Sequence, residues 1–392
     1  MEYVSKGWQR HVSEENIIKW RRHLHQFPEL SFQEEKTSQF IYDTLCSFAA
    51  FEVTRPTPYS VMAKKKGNKD GKVVAIRADM DALPIQEETS KTYASVMPGV
   101  MHACGHDAHT AILLGAAEAI GNMNENWEGE IRLLFQHAEE VYPGGGQEMV
   151  KAGVMDGVDY IIGLHVMSGL ETGKIGIVYG PMMAAPDVFT IEVKGRGGHA
   201  ARPEETIDPI AVGAQIITNL QHIVSRNTSA FMQRVVSVTQ FHGGTADNII
   251  PSAAYLMGTV RSFDQTLRKE AEEKIEKIVR GIIEAHGATY TYTYRYGYDP
   301  VINDTFITKI VEESAIELFG KDRIVKLAPS MGGEDFSAYL RKAPGCFIKL
   351  GTGNKKIKTC YPHHHPKFDV DESALIDGAK LFLQATMNLL KA

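Results

Sequence analysis

The chain has 392 residues, which is long for a single hydrophobic core and favours two domains. Apolar residues make up 43% of the chain and charged residues 23%, a mixture typical of globular proteins, so disorder, collagen and coiled coil are excluded as descriptions of the whole. Lys and Arg number 42 against 48 Asp and Glu, and the net charge of −6 lacks the basic excess that nucleic-acid binding normally brings.

Helix and strand patterns alternate in the first half of the chain. Helices are predicted over 14–25, 33–46 and 107–120, and short apolar strands over 72–76, 131–135 and 160–164. Continuous apolar strands that alternate with helices are typical of a mainly parallel sheet covered on both faces. This part of the chain is therefore predicted to be α/β.

The pattern changes between residues 181 and 186. The elements that follow are a strand (188–193), a helix (207–224), two strands (235–241 and 255–261), a charged helix (267–285) and an alternating strand (288–296). This β-α-β-β-α-β order is that of a ferredoxin-like sandwich. After residue 300 the first pattern returns and ends in a helix from 372 to about 390.

The simplest organisation is an insertion of one domain into another. Residues 1–186 and 297–392 are predicted to form a catalytic domain with a mainly parallel mixed sheet sandwiched by helices. Residues 187–296 are predicted to form an inserted ferredoxin-like α+β lid domain.

The sequence shows neither a long apolar run nor a recognisable targeting signal. The most apolar stretches, 111–120 and 160–166, fall well short of the roughly 20 residues needed to span a bilayer. The N-terminus has no hydrophobic signal region, and four scattered cysteines do not suggest a disulfide framework. These features predict a cytoplasmic protein with neither a membrane nor nucleic acid as its partner.

The segment 102–109, HACGHDAH, places several metal-ligand residue types in a turn before a helix. Its Cys, His and Asp side chains are all candidate metal ligands. From this segment alone, two other interpretations stay open. One is an ordinary helix start capped by Asp107. The other is a catalytic Cys–His pair, for which no separate orienting residue is evident.

Two adjacent carboxylates, Glu139 and Glu140, follow the strand 131–135. Simple exposure to solvent explains most acidic pairs. Ligands, however, bind at the ends of strands in α/β sheets. One glutamate could hold a metal ion while its neighbour takes a proton from water, which is the division of labour that metal-assisted hydrolysis requires.

Two further histidines complete the candidate set. His165 is predicted to close the strand 160–164, and His364 lies in the run 363–365. A parallel sheet could bring both of them to the loops that carry the thiol, imidazole and carboxylate groups described above. Such a mixture suits Zn²⁺, Mn²⁺, Co²⁺ or Ni²⁺, and five or six ligands are enough for two metal ions.

Motifs along almost the whole chain resemble those of one family, the aminoacylase, hippurate hydrolase and plant auxin-conjugate hydrolase group of the carboxypeptidase-G-like di-metal metallopeptidases. They occur in that family's order: RRHLHQFPELSFQEEKT, IRADMDALPIQE, HACGHDAH, FQHAEE, GLHV, KGRGGHAARP, DNIIP, GTVRSF, MGGEDFS and HHHPKFDVDE. One position departs from the pattern, since His137 stands where the family usually has proline.

The resemblance implies a di-metal amidohydrolase with a catalytic domain and an inserted lid domain. It assigns two divalent ions per chain (Mn, Zn, Co or Ni), with Glu139 as general base and five metal ligands: Cys104, His106, Glu140, His165 and His364. Asp79 and Asp81, in RADMD, are interpreted as supporting or structural residues because the Cys-Gly-His motif already supplies ligands.

The lid motifs contribute three further residues by the same resemblance. His199, Asn248 and Arg261 lie where the family binds the substrate carboxylate and the scissile carbonyl. In many relatives the lid histidine reaches across a dimer, so the lid is also expected to be a dimerisation domain in a homodimer or homotetramer.

The expected reaction is hydrolysis of the amide bond of an N-acyl amino acid to a carboxylic acid and an amino acid. Glu139 would take a proton from the attacking water and pass it to the leaving amine, while His199 and Asn248 would donate to the developing oxyanion. Arg261 would bind the substrate carboxylate. N-acetyl-diaminopimelate deacetylase and dipeptidase are the enzymatic alternatives. A metal-dependent binding protein is the non-enzymatic one, and it leaves Glu139 without a role.

Overall fold

The structure is a computed structural model, and it describes residues 8–123 and 126–392. The strands are β1 (Glu52–Thr54), β2 (Val61–Lys66), β3 (Lys69–Asp79), β4 (Glu128–Gln136), β5 (Tyr160–Glu171), β6 (Ile175–Ile177), β7 (Gly180–Met183), β8 (Ala185–Lys194), β9 (Gly198–His199), β10 (Arg234–Gly243), β11 (Ile249–Ile250), β12 (Ala253–Ser262), β13 (Thr289–Arg295), β14 (Val301–Asn303), β15 (Ile324–Lys326) and β16 (Gly345–Gly353). The α-helices are α1 (Glu14–Gln26), α2 (Glu35–Ser47), α3 (His106–Gly121), α4 (Gly145–Lys151), α5 (Pro209–Ser225), α6 (Gln265–Ala285), α7 (Thr305–Phe319), α8 (Ser337–Leu340) and α9 (Leu375–Leu389).

The chain divides into two compact units. The first comprises Met1–Met182, so far as it is described, together with Ile302–Ala328 and Asp335–Ala392, and the second comprises Met183–Val301 and Pro329–Glu334. The predicted lid, 187–296, falls inside the second unit, whose ends lie a few residues further out. The short segment 329–334 of the second unit has no counterpart in the predicted boundaries.

The first unit is built around a mixed sheet. Its eight described strands run in the order β1-β2-β4-β3-β5-β16-β6-β15. Strands β4, β3, β5 and β16 at its centre are mutually parallel, whereas β1, β2 and β6 pair antiparallel with their neighbours towards the centre. The strands are packed against helices α3, α4, α7 and α9. This burial explains why the strand sequences are continuously apolar. The predicted α/β fold with a mainly parallel sheet between helices is confirmed.

Helix α3 is buried along almost its whole length between α1 and α9. At Gly115 a Cβ atom would lie 2.5 Å from the side chain of Ile17 in α1, so this close helix contact requires glycine. The close packing of α3 on its neighbours fixes the position of its first turn, which carries His106, Asp107 and His109.

The carboxyl ends of the central strands lie at one edge of the sheet because the strands are parallel. Asp79 at the end of β3 pairs with Gln136 at the end of β4, and His165 of β5 pairs with Lys349 of β16. The prediction that His165 closes its strand was wrong, because β5 continues to Glu171. The imidazole of His165 is nevertheless on this edge, where ligands bind in open α/β sheets.

The second unit contains an antiparallel sheet in the order β10-β12-β8-β13, with α5 and α6 packed against it. Along the chain these elements follow the predicted β-α-β-β-α-β order. Alternate residues of β8 point into the core with the apolar residues of both helices: Phe189, Ile191, Val193, Val212, Ile216, Leu220, Ile275 and Val279. Among the described residues, no helix is both long and apolar enough to cross a membrane.

A buried ion pair joins β8 to α6 in the second unit. Both carboxylate oxygens of Asp187 accept hydrogen bonds from Arg268, at 2.6–2.9 Å, and the Tyr294 hydroxyl donates to one of them at 2.8 Å. The Asp187 side chain is 1% exposed and that of Arg268 4%. Without Asp187, the buried guanidinium of Arg268 would keep Asp299, 2.8 Å away and 16% exposed, as an acidic partner, so its charge would be only partly compensated.

We therefore expect Asp187→Asn to lower the free energy of unfolding of the second unit by about 3–5 kcal/mol. A matched control is Arg280→Gln on the same helix, where the 52% exposed side chain faces Glu276 at 3.9 Å. That exposed pair contributes at most about 0.5 kcal/mol. Urea unfolding followed by circular dichroism measures both, and equal effects would contradict the assignment.

Candidate metal centre

The Cys-Gly-His turn before α3 depends on a backbone that favours glycine. Gly105 has a φ of 92°, and a Cβ atom there would lie 2.4 Å from the side chain of Val166. Gly105 is also the N-cap residue, so the alternative interpretation of Asp107 as the cap was wrong. The turn leaves the side chains of Cys104 and His106 buried at the carboxyl edge of the sheet.

Cys104, His106 and His165 form one group of candidate ligands, whose ligand atoms all lie within 4.8 Å of one another. The Cys104 Sγ atom is 3.4 Å from His165 Nε2. His165 Nδ1 donates to the carbonyl oxygen of Val166 at 2.7 Å. This bond leaves a lone pair on Nε2, directed at the thiol, as a metal-binding histidine requires.

Cys104, Glu140 and His364 form a second group within the same distance, so the two groups share the thiol. His364 Nε2 lies 3.2 Å from Glu140 Oε1. The neighbouring His363 instead donates through Nε2 to the Val166 carbonyl at 3.0 Å. Of these two consecutive histidines, His364 is therefore the one that faces the cluster.

Glu139 lies beside both groups. One of its carboxylate oxygens is within 4.8 Å of ligand atoms of His106 and Glu140, and the residue is only 7% exposed. Strand β4 has ended at Gln136, and Ala138 has a left-handed φ of 48°, which breaks the alternation of side chains between faces. Adjacent carboxylates therefore reach the same cluster.

The donor set fits divalent cations. His106 Nε2 is buried and, within the described residues, has no hydrogen-bond partner, and Glu140 Oε1 lies 3.9 Å from it, in contact with His364 Nε2 at 3.2 Å. Buried polar atoms are seldom left without partners, and a cation between them would satisfy both. A thiol, imidazoles and a carboxylate together suit borderline-soft ions such as Zn²⁺, Mn²⁺, Co²⁺ and Ni²⁺.

Asp81 orients the cluster from behind. Its Oδ1 accepts from His106 Nδ1 at 3.0 Å, and its Oδ2 accepts from the backbone N–H of Glu140 at 3.0 Å. The first bond fixes the tautomer of His106 so that Nε2 points into the cluster. The geometry agrees with the interpretation of Asp81 as a supporting residue.

Asp79 supports the cluster through His109 and Arg77. It accepts from His109 Nδ1 at 2.6 Å and from the fully buried Arg77 at 2.7 Å. His109 Nε2 in turn accepts from the N–H of Val166 at 2.9 Å. Both nitrogens of His109 are thus occupied, so this histidine is not available as a ligand although it lies close to His106.

Burial and nearby charges shift the pKa values of His106 and His165 in opposite directions. Burial alone would lower the pKa of His106, but Asp79 and the hydrogen bond to Asp81 hold it well above its usual value. Burial lowers the pKa of His165 well below its usual value, and the positive charge of Lys349 adds to the effect. His165 is therefore neutral and suited to metal binding.

Burial, followed by the charge of Glu140, raises the pKa of Cys104 to about 12. Catalytic cysteines require a lowered pKa, so the interpretation of Cys104 and His106 as a catalytic Cys–His pair is not supported. A thiol in a cluster of ligand groups instead loses its proton when a cation binds.

The histidine that replaces the family's proline is buried. His137 is 0% exposed, and its Nε2 donates to Glu148 of α4 at 3.0 Å. Its ring packs against Phe32 and Tyr59, with centroids at 5.5 and 5.9 Å. The substitution thus ties the loop that carries Glu139 to α4.

The three predicted lid residues all lie in the second unit. His199 and Asn248 are exposed, and the N–H of Ala200 donates to the Asn248 carbonyl at 3.0 Å, so the two residues are near each other. Arg261, on β12, is half-buried and donates to the Val260 carbonyl at 3.1 Å. Their roles at a substrate stay predictions.

Two buried networks near the site have no counterpart among the contacts predicted from the sequence. Arg77 binds Asp335 at 2.7 Å, and Gln136 donates to the same carboxylate. In the other network, Arg21 and His25 of α1 both bind Asp107, at 2.9 and 2.7 Å. The i, i+4 spacing of Arg21 and His25 on one helix face was the available signal for the second network, whereas Asp335 lies in the motif MGGEDFS, which does not reveal Arg77 as its partner.

The chain is similar to known proteins along most of its length. The chain is 62% identical over 288 residues, covering 74% of this chain and 78% of the relative, to the N-acyl-L-amino acid amidohydrolase of Geobacillus stearothermophilus. It is 42% identical to thermostable carboxypeptidase 1 of Saccharolobus solfataricus, covering 93% of each chain. A Bacillus subtilis protein described as a dinuclear metal binding peptidase has a similar structure, with a TM-score of 0.85, 37% identity and coverage of 96% of this chain and 98% of that one.

The family model that matches this sequence extends over residues 75–388, from the strand that ends at Asp79 to the last helix. The match includes every side chain of the cluster described above. With these relatives, it establishes that the chain belongs to peptidase family M20/M25/M40.

Proposed function

We propose that the protein is a metal-dependent amidohydrolase that cleaves N-acyl amino acids to a carboxylic acid and an amino acid. The observation that carries this proposal is the convergence of four ligand-type side chains on Cys104, with the separate carboxylate of Glu139 beside them. A binding protein would need the ligands but would have no use for Glu139. The name of the Geobacillus relative supports the choice of an N-acyl amino acid as substrate.

Two divalent ions per chain fit the two groups of candidate ligands. Cys104, His106 and His165 would hold one ion, and Glu140 and His364 the other, with the thiol within reach of both. Bound ions supply Lewis acidity, which polarises the scissile carbonyl and acidifies water. Mn²⁺, Zn²⁺, Co²⁺ and Ni²⁺ all suit these donors.

Glu139 is the residue that moves protons in the proposed reaction. It is the acidic neighbour of the ligand Glu140, and it would accept a proton from the attacking water and pass it to the nitrogen of the leaving amine. Asp81 keeps His106 in one tautomer, and His109 holds the backbone of Val166. These two contacts preserve the positions of the ligands during the reaction.

The second unit would supply the contacts to the rest of the substrate. His199 and Asn248 carry donors for an oxyanion, and the guanidinium of Arg261 can bind the carboxylate of an amino acid with two hydrogen bonds. A homodimer or homotetramer and a cytoplasmic location remain predictions from the sequence.

Peptide cleavage is a second candidate function. The relative from Saccharolobus solfataricus is named a carboxypeptidase and is 42% identical to this chain. A dipeptide and an N-acyl amino acid both present an amide bond next to a free carboxylate, so the same cluster could act on either. Only the pocket for the acyl group distinguishes them.

The function is tested by reloading purified protein with Mn²⁺ or Zn²⁺ and measuring release of amino acid. We expect close to two ions per chain by elemental analysis, and turnover of N-acetyl-methionine or hippurate that a chelator abolishes. Cys104→Ala should hold less metal because a ligand shared by both groups is lost. Release from dipeptides but not from N-acyl amino acids would favour the second candidate, and no release from either would refute both.

The roles of the adjacent glutamates are separated by two matched variants. Glu139→Gln should retain both ions and lose activity by about 10²–10⁴-fold, because an amide cannot accept the proton. Glu140→Gln should instead weaken metal binding, with activity partly restored at high Mn²⁺. Metal content and turnover are measured for both, and reversal of the two patterns would show that the roles are exchanged.

The contribution of the second unit is tested with His199→Ala and Arg261→Lys. His199→Ala should lower kcat by about 10²–10³-fold at unchanged metal content, the range for one oxyanion donor. Arg261→Lys should chiefly raise KM, because the charge stays while the paired hydrogen bonds are lost. Steady-state kinetics and metal analysis decide, and parent-like behaviour of both variants would leave the second unit without a role at the substrate.

A further inference from the structure

A turn between α1 and α2 contacts the metal centre from outside, and the proposed reaction gives it no role. Residues 31–34, called the 31–34 turn below, belong to the motif PELSFQEE. The carbonyl of Leu30 accepts from the N–H of Gln33 at 2.9 Å, and Phe32 has a left-handed φ of 63°. Leu30 also pairs with Ala82 just beyond β3, so the turn is attached to the strand that leads to Asp81.

The 31–34 turn reaches two sides of the site. The Ser31 hydroxyl donates to Asp81 Oδ2 at 2.7 Å, on the carboxylate that orients His106. The Phe32 ring packs edge-on against His137, with centroids 5.5 Å apart. Asp81 binds the proposed ligand His106, and His137 lies two residues before the proposed base Glu139.

Glu34 makes the most unusual contact of the turn. Glu34 is 0% exposed, and its Oε1 accepts a hydrogen bond from the backbone N–H of Ala138 at 2.7 Å. Its other oxygen has no hydrogen-bond partner in the described part of the chain. Burial, with the nearby charge of Asp81, raises the pKa of Glu34 to about 8, so the carboxyl is mostly neutral at pH 7.

A buried carboxyl group with one unpartnered oxygen lowers stability relative to an apolar side chain. Its presence at position 34 therefore requires a reason other than packing. The hydrogen bond that its Oε1 accepts from another part of the chain ends one residue before Glu139.

The backbone of Ala138 is held from both directions. Its N–H donates to Glu34, and its carbonyl accepts from the N–H of Gly145 at 2.9 Å. Its φ of 48° is unfavourable for a residue with a Cβ atom, so it persists only where surrounding contacts impose it. This conformation breaks the strand alternation and lets Glu139 and Glu140 face the same cluster.

We propose that Glu34 is a positioning residue for Glu139: its buried carboxyl imposes the left-handed backbone at Ala138 and thereby aims the general base at the metal centre. The proposal rests on the proposed function for the identity of the base. The hydrogen bond to Ala138 itself does not, and it can be measured without substrate or metal.

Three variants test this role. Glu34→Ala removes the acceptor, whereas Glu34→Gln keeps a neutral oxygen that can accept from Ala138. Glu35→Ala changes the adjacent exposed glutamate and is the matched control. Each is measured for kcat and KM with N-acetyl-methionine after reloading with Mn²⁺, for metal content, and for hydrogen exchange of peptides spanning 136–141.

We expect Glu34→Ala to lose about 10–100-fold in kcat at nearly unchanged KM and metal content, since a small displacement of a catalytic group has an effect of this size. Exchange of the 136–141 peptides should become faster by about tenfold or more. Glu34→Gln and Glu35→Ala should stay within about threefold of the parent in both readouts, below the loss expected for a displaced group. If Glu34→Ala does not fold, Glu34→Asp, whose carboxyl is retracted by one carbon, takes its place with the same expectations.

Parent-like kcat or parent-like exchange in Glu34→Ala would overturn the positioning role. A loss of kcat in Glu34→Gln as large as in Glu34→Ala would overturn it as well, because the acceptor is still present. If the reloaded parent releases no amino acid from any N-acyl amino acid or dipeptide, the proposed function fails instead. In that case the exchange of residues 136–141 alone decides whether Glu34 holds Ala138.

Discussion

The carboxylate of Asp81 is the contact on which the site most depends. It lies just beyond β3 and accepts hydrogen bonds from an imidazole of α3, from the backbone after β4 and from the hydroxyl of Ser31. Three segments that are distant in the sequence thus meet on one side chain. Because all three donors converge on a single rigid carboxylate, a displacement of any one segment changes the positions of the others.

The same region solves an electrostatic problem. Asp79, Asp81 and Asp335 are buried beside the candidate ligands, and buried carboxylates are unfavourable without partners. The guanidinium of Arg77 lies between Asp79 and Asp335 and compensates both. Positive neighbours, with His106 first, hold the pKa of Asp79 well below its usual value although burial alone would raise it. The arrangement keeps the supporting carboxylates charged, which favours the binding of cations.

The sequence predicted the architecture well because local patterns determine most of it. Each predicted helix and strand lies on an observed element, and the ligand types in HACGHDAH and FQHAEE are recognisable from chemistry alone. The predicted end of β5 was wrong because pairing with β16, and not the position of His165, determines where the strand ends. The contacts of Arg77 with Asp335 and of Glu34 with Ala138 could not be predicted, because only tertiary packing brings these residues together. The choice of His364 over His363 needed either the resemblance or the structure, because both are the same residue type.

The place of β16 in the sheet has a consequence for synthesis of the chain on the ribosome. Gly345 of β16 pairs with Ile161 of β5, and the second unit is encoded between them. The core of the inserted unit is drawn from residues 189–294, so all of it has been made before β16, whereas the first unit must wait for this strand at the centre of its sheet. His364 follows that strand, so the cluster is completed only when nearly the whole chain has been made. A nascent chain would therefore carry the whole core of the insert before it carries a complete metal centre.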